Sequence, residues 1–340
     1  MLQNPILIHY DSIKKLQKGE MVNPYFVDLQ PSNKCNQNCK GCPYRNILHH
    51  DGIMLSEGKL TKIVNDLMDF GVKAFDFCGG GEPMTLSYLP NVWNLIKNRK
   101  GYYALITNGT IMNGNIIKQL AEQATYVRFS FEASTEKVYC EYKRVGVLHW
   151  YKLLQNVERL IKIRDVIKSD CEIGIKFAIG ESLKGADHYR NALSLFKSLH
   201  PNNIQFKALR HKPEELSLRD REREQALLWI VFQDEDPNFV HSWIIPWTDE
   251  DIPQCWLNPL HTVVDENGNV YICCYFYYRR EEHCLGNMLD RPIKEIWYDS
   301  QHEEKIKEIS KRACAKVDCK FFRHHKLVEQ NSKNGKSEFL

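Results

Sequence analysis

Long apolar runs are missing from this sequence. The longest, Ala226 to Phe232, has seven residues, against the roughly 20 that a membrane-spanning helix needs, so no membrane span is expected. A surplus of one charge is missing as well. The formal balance is +3, too small to hold an anionic membrane surface or a nucleic-acid backbone, so neither is expected as a partner. Residues Met1 to Lys18 lack the apolar stretch and small-residue cleavage site of a secretory signal. The expectation is a cytoplasmic chain, where thiols stay reduced. Internal repeats and low-complexity tracts are absent too.

What the sequence has is cysteine. Twelve occur in 340 residues, and a reducing compartment makes metal binding a better use for clustered cysteines than a disulfide framework. Cys35, Cys39 and Cys42 fall close together; Cys255, Cys273, Cys274, Cys284, Cys314 and Cys319 fall in the last quarter; Cys78, Cys140 and Cys171 are scattered between. With 43% hydrophobic and 26% charged residues, the rest reads as a globular chain long enough for two domains, or for one large domain with an appendage.

From Tyr25 to about Leu209, short apolar strands alternate with amphipathic helices. Strands are predicted at Tyr25–Gln30, Val72–Phe77, Tyr102–Ile106, Tyr126–Phe131, Glu172–Ile179 and Ile204–Leu209. The helix near Leu55–Phe70 shows the pattern best. Leu60, Ile63, Val64, Leu67 and Met68 recur at helical spacing, Ser56 can cap the start, and Gly71 stops it. Six strand–helix units imply parallel strands with right-handed crossovers. A complete eightfold barrel takes about 250 residues, so the expectation is an α/β fold with a partial (β/α)6 TIM-like barrel. Leu216–Glu224 reads as a charged, solvated helix surface and Asp234–Ile252 as a connection. After Cys255 the pattern changes to a hairpin around Asp265–Gly268 and a helix near Ile293–Trp297. The division expected is an extension over 1–24, the barrel over 25–225, a linker over 226–252, a small α+β cysteine-rich module over 253–326 and a mobile tail over 327–340.

Cys35, Cys39 and Cys42 have the spacing C-x3-C-x2-C. Thiolates suit iron–sulfur clusters and zinc. A closed zinc site wants four ligands, and His49 or His50 can supply a fourth. Three thiolates on a four-iron cluster leave one iron open, which an amino acid can chelate through its amine and carboxylate. After 36 intervening residues comes Gly79-Gly80-Gly81-Glu82-Pro83. Alone this is an ordinary turn; its glycines let backbone approach closely, and its carboxylate suits an ammonium. Thr107–Asn108 and Ser130–Glu132 also lie at the ends of predicted strands. In parallel β/α barrels those ends form one face, and active sites sit there.

The three cysteines after a first strand, with the glycine–glutamate turn after a second, resemble the radical S-adenosylmethionine superfamily. The resemblance implies a [4Fe–4S] cluster on Cys35, Cys39 and Cys42, with S-adenosyl-L-methionine on the open iron. It implies that Gly80, Gly81 and Glu82 receive the methionine amino group. Ser130 and Glu132 resemble a Ser-x-Asp that binds ribose or the methionine part, with Glu132 in place of the usual aspartate. Asn108 belongs to a segment often found there, and Arg144 resembles an arginine that meets the methionine carboxylate. An aromatic residue that usually precedes the third cysteine is here Gly41, and Tyr44 can take its place.

In the last quarter, C-x12-G-x4-C over Cys255, Gly268 and Cys273 resembles the Twitch module, the shorter relative of the SPASM domain. That implies an auxiliary [4Fe–4S] cluster on Cys255, Cys273, Cys314 and Cys319. Cys314 and Cys319 are four residues apart where two is usual, so Cys274 or Cys284 can replace one of them, and a zinc knuckle stays open. Spare cysteines can return a hydrogen atom to a substrate radical, Cys140 and Cys284 first among them; a packed, inert thiol is the plain alternative.

The resemblance implies reductive cleavage of S-adenosylmethionine to a 5′-deoxyadenosyl radical, then hydrogen abstraction by an oxidoreductase or epimerase served by a flavodoxin or ferredoxin. The 24 residues before the first strand are few for a leader-peptide-binding domain, so a small carbohydrate- or cyclitol-like substrate is expected before a peptide. Lys207, Arg210, His211 and Glu214 can contact its hydroxyls or phosphate. A peptide or protein maturase and a non-catalytic zinc or iron–sulfur protein are the alternatives.

Overall fold

The fold is described from a computed structural model, which covers residues 9–44, 51–209, 213–236, 239–243, 255–274, 280–312, 324–325 and 327–329. Its frame is one ten-stranded sheet. Seven strands run parallel in chain order: β1 (Phe26–Leu29), β2 (Ala74–Phe77), β3 (Tyr102–Thr107), β4 (Tyr126–Ser130), β5 (Glu172–Ile179), β6 (Asn203–Ala208) and β7 (Val240–Trp243). Helices α2 (Glu57–Phe70), α3 (Leu89–Asn98), α4 (Gly114–Gln123), α5 (Glu136–Lys143), α6 (Leu148–Ile167), α7 (Ala186–Leu199) and α8 (Leu218–Phe232) fill the crossovers. This is the partial barrel expected, with β7 as a strand that the sequence pattern had not marked.

Local chemistry explains the regularity. In α2 the apolar stripe Leu60, Ile63, Val64 and Leu67 is buried against the sheet, and each such side chain contributes about 1.5–3 kcal/mol. The Ser56 hydroxyl accepts from the Lys59 N–H, and Gly71 closes the helix at φ 111°, a conformation that costs glycine little. Trp93 of α3 stacks flat on Tyr103 of β3, with ring centroids 5.2 Å apart.

The last quarter shares the sheet. β8 (His261–Val264) runs parallel to β1 on the side away from β2, and β9 (Asn269–Tyr271) and β10 (Cys284–Asn287) continue antiparallel. Residues of α10 (Ile293–Trp297) join the barrel's own hydrophobic core. The Trp297 indole N–H bonds Val22 O at 2.8 Å, and the Ile293 N–H bonds Asp66 of α2 at 2.8 Å. A four-residue helix, α9 (Arg280–His283), precedes β10, and α11 (Ser300–Arg312) follows α10. The N-terminal helix α1 (Tyr10–Gln17) places Ile13 in a second core with Val22, Trp256, Leu260 and Val328.

Three expectations differ from the structure. The stretch 226–252, read as a linker, holds the second half of α8 and all of β7. Val328, in the stretch read as tail, is 3% exposed; residues 330–340 lie outside the described residues. The charged segment Leu216–Glu224 is solvated only in part: Arg219, Glu222 and Arg223 are exposed, but Arg221 is fully buried and Glu224 is 1% exposed. Glu224 accepts from the Tyr189 hydroxyl at 2.6 Å and the Gly185 N–H at 2.8 Å, and Arg221 donates to Leu216 O at 3.2 Å. Charges on a helix are solvated by default, and only tertiary partners reveal these as buried. Glu224→Ala leaves those buried donors unsatisfied, and urea denaturation should show a loss of about 2–3 kcal/mol.

Candidate active site

The loop after β1 carries the three cysteines and is held by neighbouring backbone. The Asn38 N–H bonds Lys143 O at 3.0 Å and the Lys40 N–H bonds Tyr142 O at 2.9 Å, which ties the loop to the end of α5. The Asn36 amide donates to Thr110 Oγ1, and Asn108 Nδ2 donates to Asn36 Oδ1, both at 2.8 Å. The Gln37 amide donates to the Tyr139 hydroxyl at 2.8 Å. Asn108 therefore anchors the cysteine loop to the end of β3.

The glycine-rich turn packs against the same loop. The Gly81 N–H bonds Ser32 O at 2.6 Å, and the Glu82 N–H bonds Lys34 O at 2.8 Å. A Cβ on Gly81 would lie 2.1 Å from Lys34 O, and one on Gly80, at φ 78°, 2.9 Å from Ser32 O. Backbone meeting backbone is what excludes a side chain here. Glu82 is 2% exposed. Its Oε1 accepts from Thr107 Oγ1 at 2.6 Å and Met84 N–H at 3.1 Å, and its Oε2 accepts from Asn108 N–H at 2.7 Å. Burial pushes its carboxyl up, and those hydrogen bonds oppose the shift. A carboxylate has capacity for a further donor, so anchoring two loops leaves Glu82 able to accept an ammonium.

These elements enclose a cavity of about 400 Å³ whose wall includes Cys35, Cys39, Cys42, Gly80, Gly81, Glu82, Asn108, Ser130 and Glu132. Nine residues singled out in the sequence are thus brought together. Arg144 is not among them: it caps α5 at φ 54° and is exposed. The residue before it, Lys143, is 3% exposed, lines the cavity and donates to Ser130 O at 3.0 Å. The left-handed cap at 144 turns the two side chains to different environments, and sequence spacing could not tell which one faces inward. Burial works against the Lys143 charge, but Cys39 and Glu132 outweigh it and raise the ammonium above the usual lysine range.

Glu132 takes φ 65°, unfavourable for a residue with a side chain. Its Oε1 lies 3.4 Å from Lys176 Nζ, while its Oε2 is buried with no hydrogen-bond partner among the described residues. Gln30 Oε1 on the same wall is in the same condition. Lys176 and Lys207 bring two cations from β5 and β6. Arg210 and His211 lie outside the described residues, as do His49 and His50; Glu214 is buried and bonds Ser182 at 2.7 Å. At Gly41 a Cβ would meet the Tyr142 hydroxyl at 2.6 Å. Tyr142 and Tyr44 are the aromatic residues of this part of the wall.

The spare cysteines are distributed differently from expectation. Cys140 and Cys284 lie outside the cavity wall, whereas Cys78 and Cys274 line it. Cys140 sits on α5, and Cys284 opens β10, where Lys305 donates to its carbonyl at 2.5 Å. The ten described cysteines form no disulfide with one another.

The donor set fits a cationic iron–sulfur centre. Burial pushes the Cys35 thiol up to about 12, with Glu82 and the other two cysteines adding to the shift, and burial raises Cys39 in the same way. Buried sulfurs such as these two become thiolates together only on a centre that supplies positive charge. The unpartnered Glu132 and Gln30 oxygens call for donors beside it.

The last quarter offers a second set. Cys255 lines a separate cavity of about 140 Å³ between α1 and α11, and Cys273 packs against the main core. Cys314, Cys319 and the aromatic cluster Tyr275–Tyr278 lie outside the described residues. Asp265 builds the intervening hairpin: it is fully buried and accepts the Asn267 and Asn269 N–H groups at 2.9 Å and the Tyr271 hydroxyl at 2.8 Å. Glu266 beside it accepts from Asn33 of the first cysteine loop at 3.3 Å.

A partial parallel barrel, three cysteines beyond its first strand and a cysteine-bearing hairpin at its edge together define an iron–sulfur enzyme class. Residues 29–184 match the family model of the Radical SAM superfamily, and residues 255–320 match that of SPASM, an iron–sulfur cluster-binding domain. The chain therefore carries a radical S-adenosylmethionine domain and a C-terminal SPASM-type iron–sulfur domain, which imply S-adenosylmethionine, a [4Fe–4S] cluster and auxiliary iron–sulfur binding as its cofactors. A probable GTP 3′,8-cyclase of Methanococcus maripaludis is 30% identical over 95 residues, 28% of this chain and 31% of that protein. The match thus spans about a third of the curated relative's length. Among solved structures, Streptococcus suis SuiB bound to precursor peptide SuiA aligns with a TM-score of 0.68 at 15% identity, over 89% of this chain and 72% of that one. Native anSMEcpe with bound AdoMet and Cp18Cys peptide aligns with a TM-score of 0.66 at 21% identity, over 88% and 87%. Likeness at these identities establishes a shared fold.

Two predictions follow from the wall. Lys143→Met should weaken S-adenosylmethionine binding by roughly tenfold or more, the value of a charge-assisted hydrogen bond, while Arg144→Ala changes it less than twofold; equilibrium dialysis of the reconstituted protein distinguishes them. Gly81→Ala should lose most of its cluster iron, read by chemical iron assay, because the added methyl displaces the Ser32–Lys34 backbone.

Proposed function

We propose that this enzyme cleaves S-adenosyl-L-methionine reductively and removes a hydrogen atom from a C–H bond of its substrate. The observation that supports it is the convergence of Cys35, Cys39 and Cys42 with Glu82, Ser130, Glu132 and Lys143 on one cavity. When bound, the cluster and S-adenosylmethionine supply a 5′-deoxyadenosyl radical. Cys35, Cys39 and Cys42 would hold three irons and leave the fourth to the amino-acid end of the cofactor. Lys143 offers that end an ammonium for its carboxylate, and Glu82 and Glu132 offer oxygens for its amine or for ribose hydroxyls. The glycine-rich turn fixes the cysteine loop, and Tyr44 and Tyr142 provide flat apolar surface for a base. A flavodoxin or ferredoxin is the proposed reductant, and the cytoplasm is the compartment that suits it.

A small polar substrate is supported by Lys176 and Lys207 on the β5 and β6 side, which suit hydroxyl or phosphate groups. A peptide substrate is supported about as well, because SuiB and anSMEcpe, with the same fold, are seen with peptides. The short segment before β1 does not decide between them. If the substrate is epimerised, Cys78 and Cys274, which line the cavity, are the proposed thiols to return a hydrogen atom; if it is oxidised, the auxiliary centre on Cys255 and Cys273 is the proposed electron acceptor.

Anaerobically reconstituted protein, given dithionite and S-adenosylmethionine, should release 5′-deoxyadenosine, and Cys39→Ala should reduce the yield at least a hundredfold. No product from the intact chain, or undiminished product from the variant, would overturn the proposal. Chemical analysis should find about eight irons per chain, the sum of two four-iron centres.

A further inference from the structure

His325 is 1% exposed and stands beside Cys255, seventy residues earlier in the chain. Its two ring nitrogens face different partners. The main-chain N–H of Trp256 points at Nδ1, 3.2 Å away. A backbone amide can only donate, so Nδ1 must be the ring nitrogen that carries a lone pair. A neutral imidazole has one proton, and here it must sit on Nε2. Nε2 lies 4.0 Å from the Cys255 sulfur, at the outer reach of an N–H···S contact. While the Trp256 amide holds Nδ1, the ring has no second lone pair for a metal.

The arrangement is built rather than incidental. The Trp256 indole donates to Glu329 at 2.8 Å, and Val328 is buried against Ile13, Trp256 and Leu260. The chain just after His325 is therefore docked on the residue that orients the ring.

We infer that His325 is a positioning residue that donates a hydrogen bond to the Cys255 sulfur and raises the reduction potential of the auxiliary iron–sulfur centre. The inference rests on the reading of Cys255 as a ligand of that centre. One-electron reduction adds one negative charge, shared with the thiolate sulfurs. An N–H aimed at such a sulfur stabilises the reduced form more than the oxidised form, and hydrogen bonds to sulfur are a principal control of cluster potential. Burial strengthens the effect. The electron comes from dithionite in the test below and from the low-potential protein reductant in turnover.

The experiment is a potentiometric titration of reconstituted full-length protein followed by electron paramagnetic resonance, with iron counted in each sample. His325→Leu should keep its full iron content and shift the auxiliary midpoint to more negative potential. The expected shift is about tenfold in the reduced-to-oxidised ratio, or about 59 mV for a one-electron couple. His325→Gln, which restores an N–H donor, should recover part of it. In the wild type, ¹⁵N-histidine labelling should give a weak nitrogen coupling to the reduced auxiliary centre, a measurement that needs no variant. A strong coupling together with loss of four irons in His325→Leu would make the histidine a ligand; an unmoved midpoint or no nitrogen coupling would make it mere packing. Either result overturns the inference. Cys255→Ala separates the two levels: full iron in that variant refutes the ligand reading itself.

Discussion

The site depends on one backbone contact. The turn after β2 lies directly on the loop after β1, with Gly81 and Glu82 donating their N–H groups to Ser32 and Lys34 and no space for a Cβ between them. Two flexible loops become one rigid unit through this contact. Glu82 extends it to β3 through Thr107 and Asn108, and Asn108 returns to the cysteine loop at Asn36. The geometry of three cysteines thus rests on glycine, glutamate and asparagine, none of which has to touch iron. Preorganisation of this kind is what a cofactor with demanding chemistry requires of its protein.

Much of this was legible in the sequence because periodicity and punctuation are local. The stripe of α2 and the stop at Gly71 lie within sixteen residues, and their physics needs no distant partner. The motifs at strand ends were legible for a related reason, since topology alone gathers the ends of parallel strands on one face. What escaped notice depends on long-range placement. Arg144 and Lys143 are adjacent cations, and only the left-handed turn at 144 decides which one is buried. Glu224 looks like a surface charge until Tyr189 and Gly185 are brought to it. His325 carries no motif, and its relation to Cys255 exists only in three dimensions.

The electrostatics of the cavity form a consistent set. Groups that a bound metal centre would leave as anions gather at Cys35, Cys39, Glu82 and Glu132, and Lys143 stands among them. The protein tolerates this concentration because it anticipates a metal centre and a zwitterionic cofactor, both able to balance charge at short range. Lys176 and Lys207 extend the positive side towards β5 and β6, with Lys176 3.4 Å from Glu132. The wall thus carries its cysteines and carboxylates mainly at β1 to β4 and two lysines at β5 and β6.

The pairing of β8 with β1 also has a consequence for the order in which the protein is made. β1 finds β2 within fifty residues, but its other edge waits for His261–Val264, more than two hundred residues later. The Gln30 N–H, at the root of the cysteine loop, bonds Val264 O, and Asn33 of that loop bonds Glu266. A chain emerging from the ribosome N-terminus first can assemble the barrel's crossovers while the cysteine loop still lacks these two fastenings. Biosynthetic timing thus places the settling of the cluster loop after Glu266 has been made, when the barrel strands that will shield it already exist.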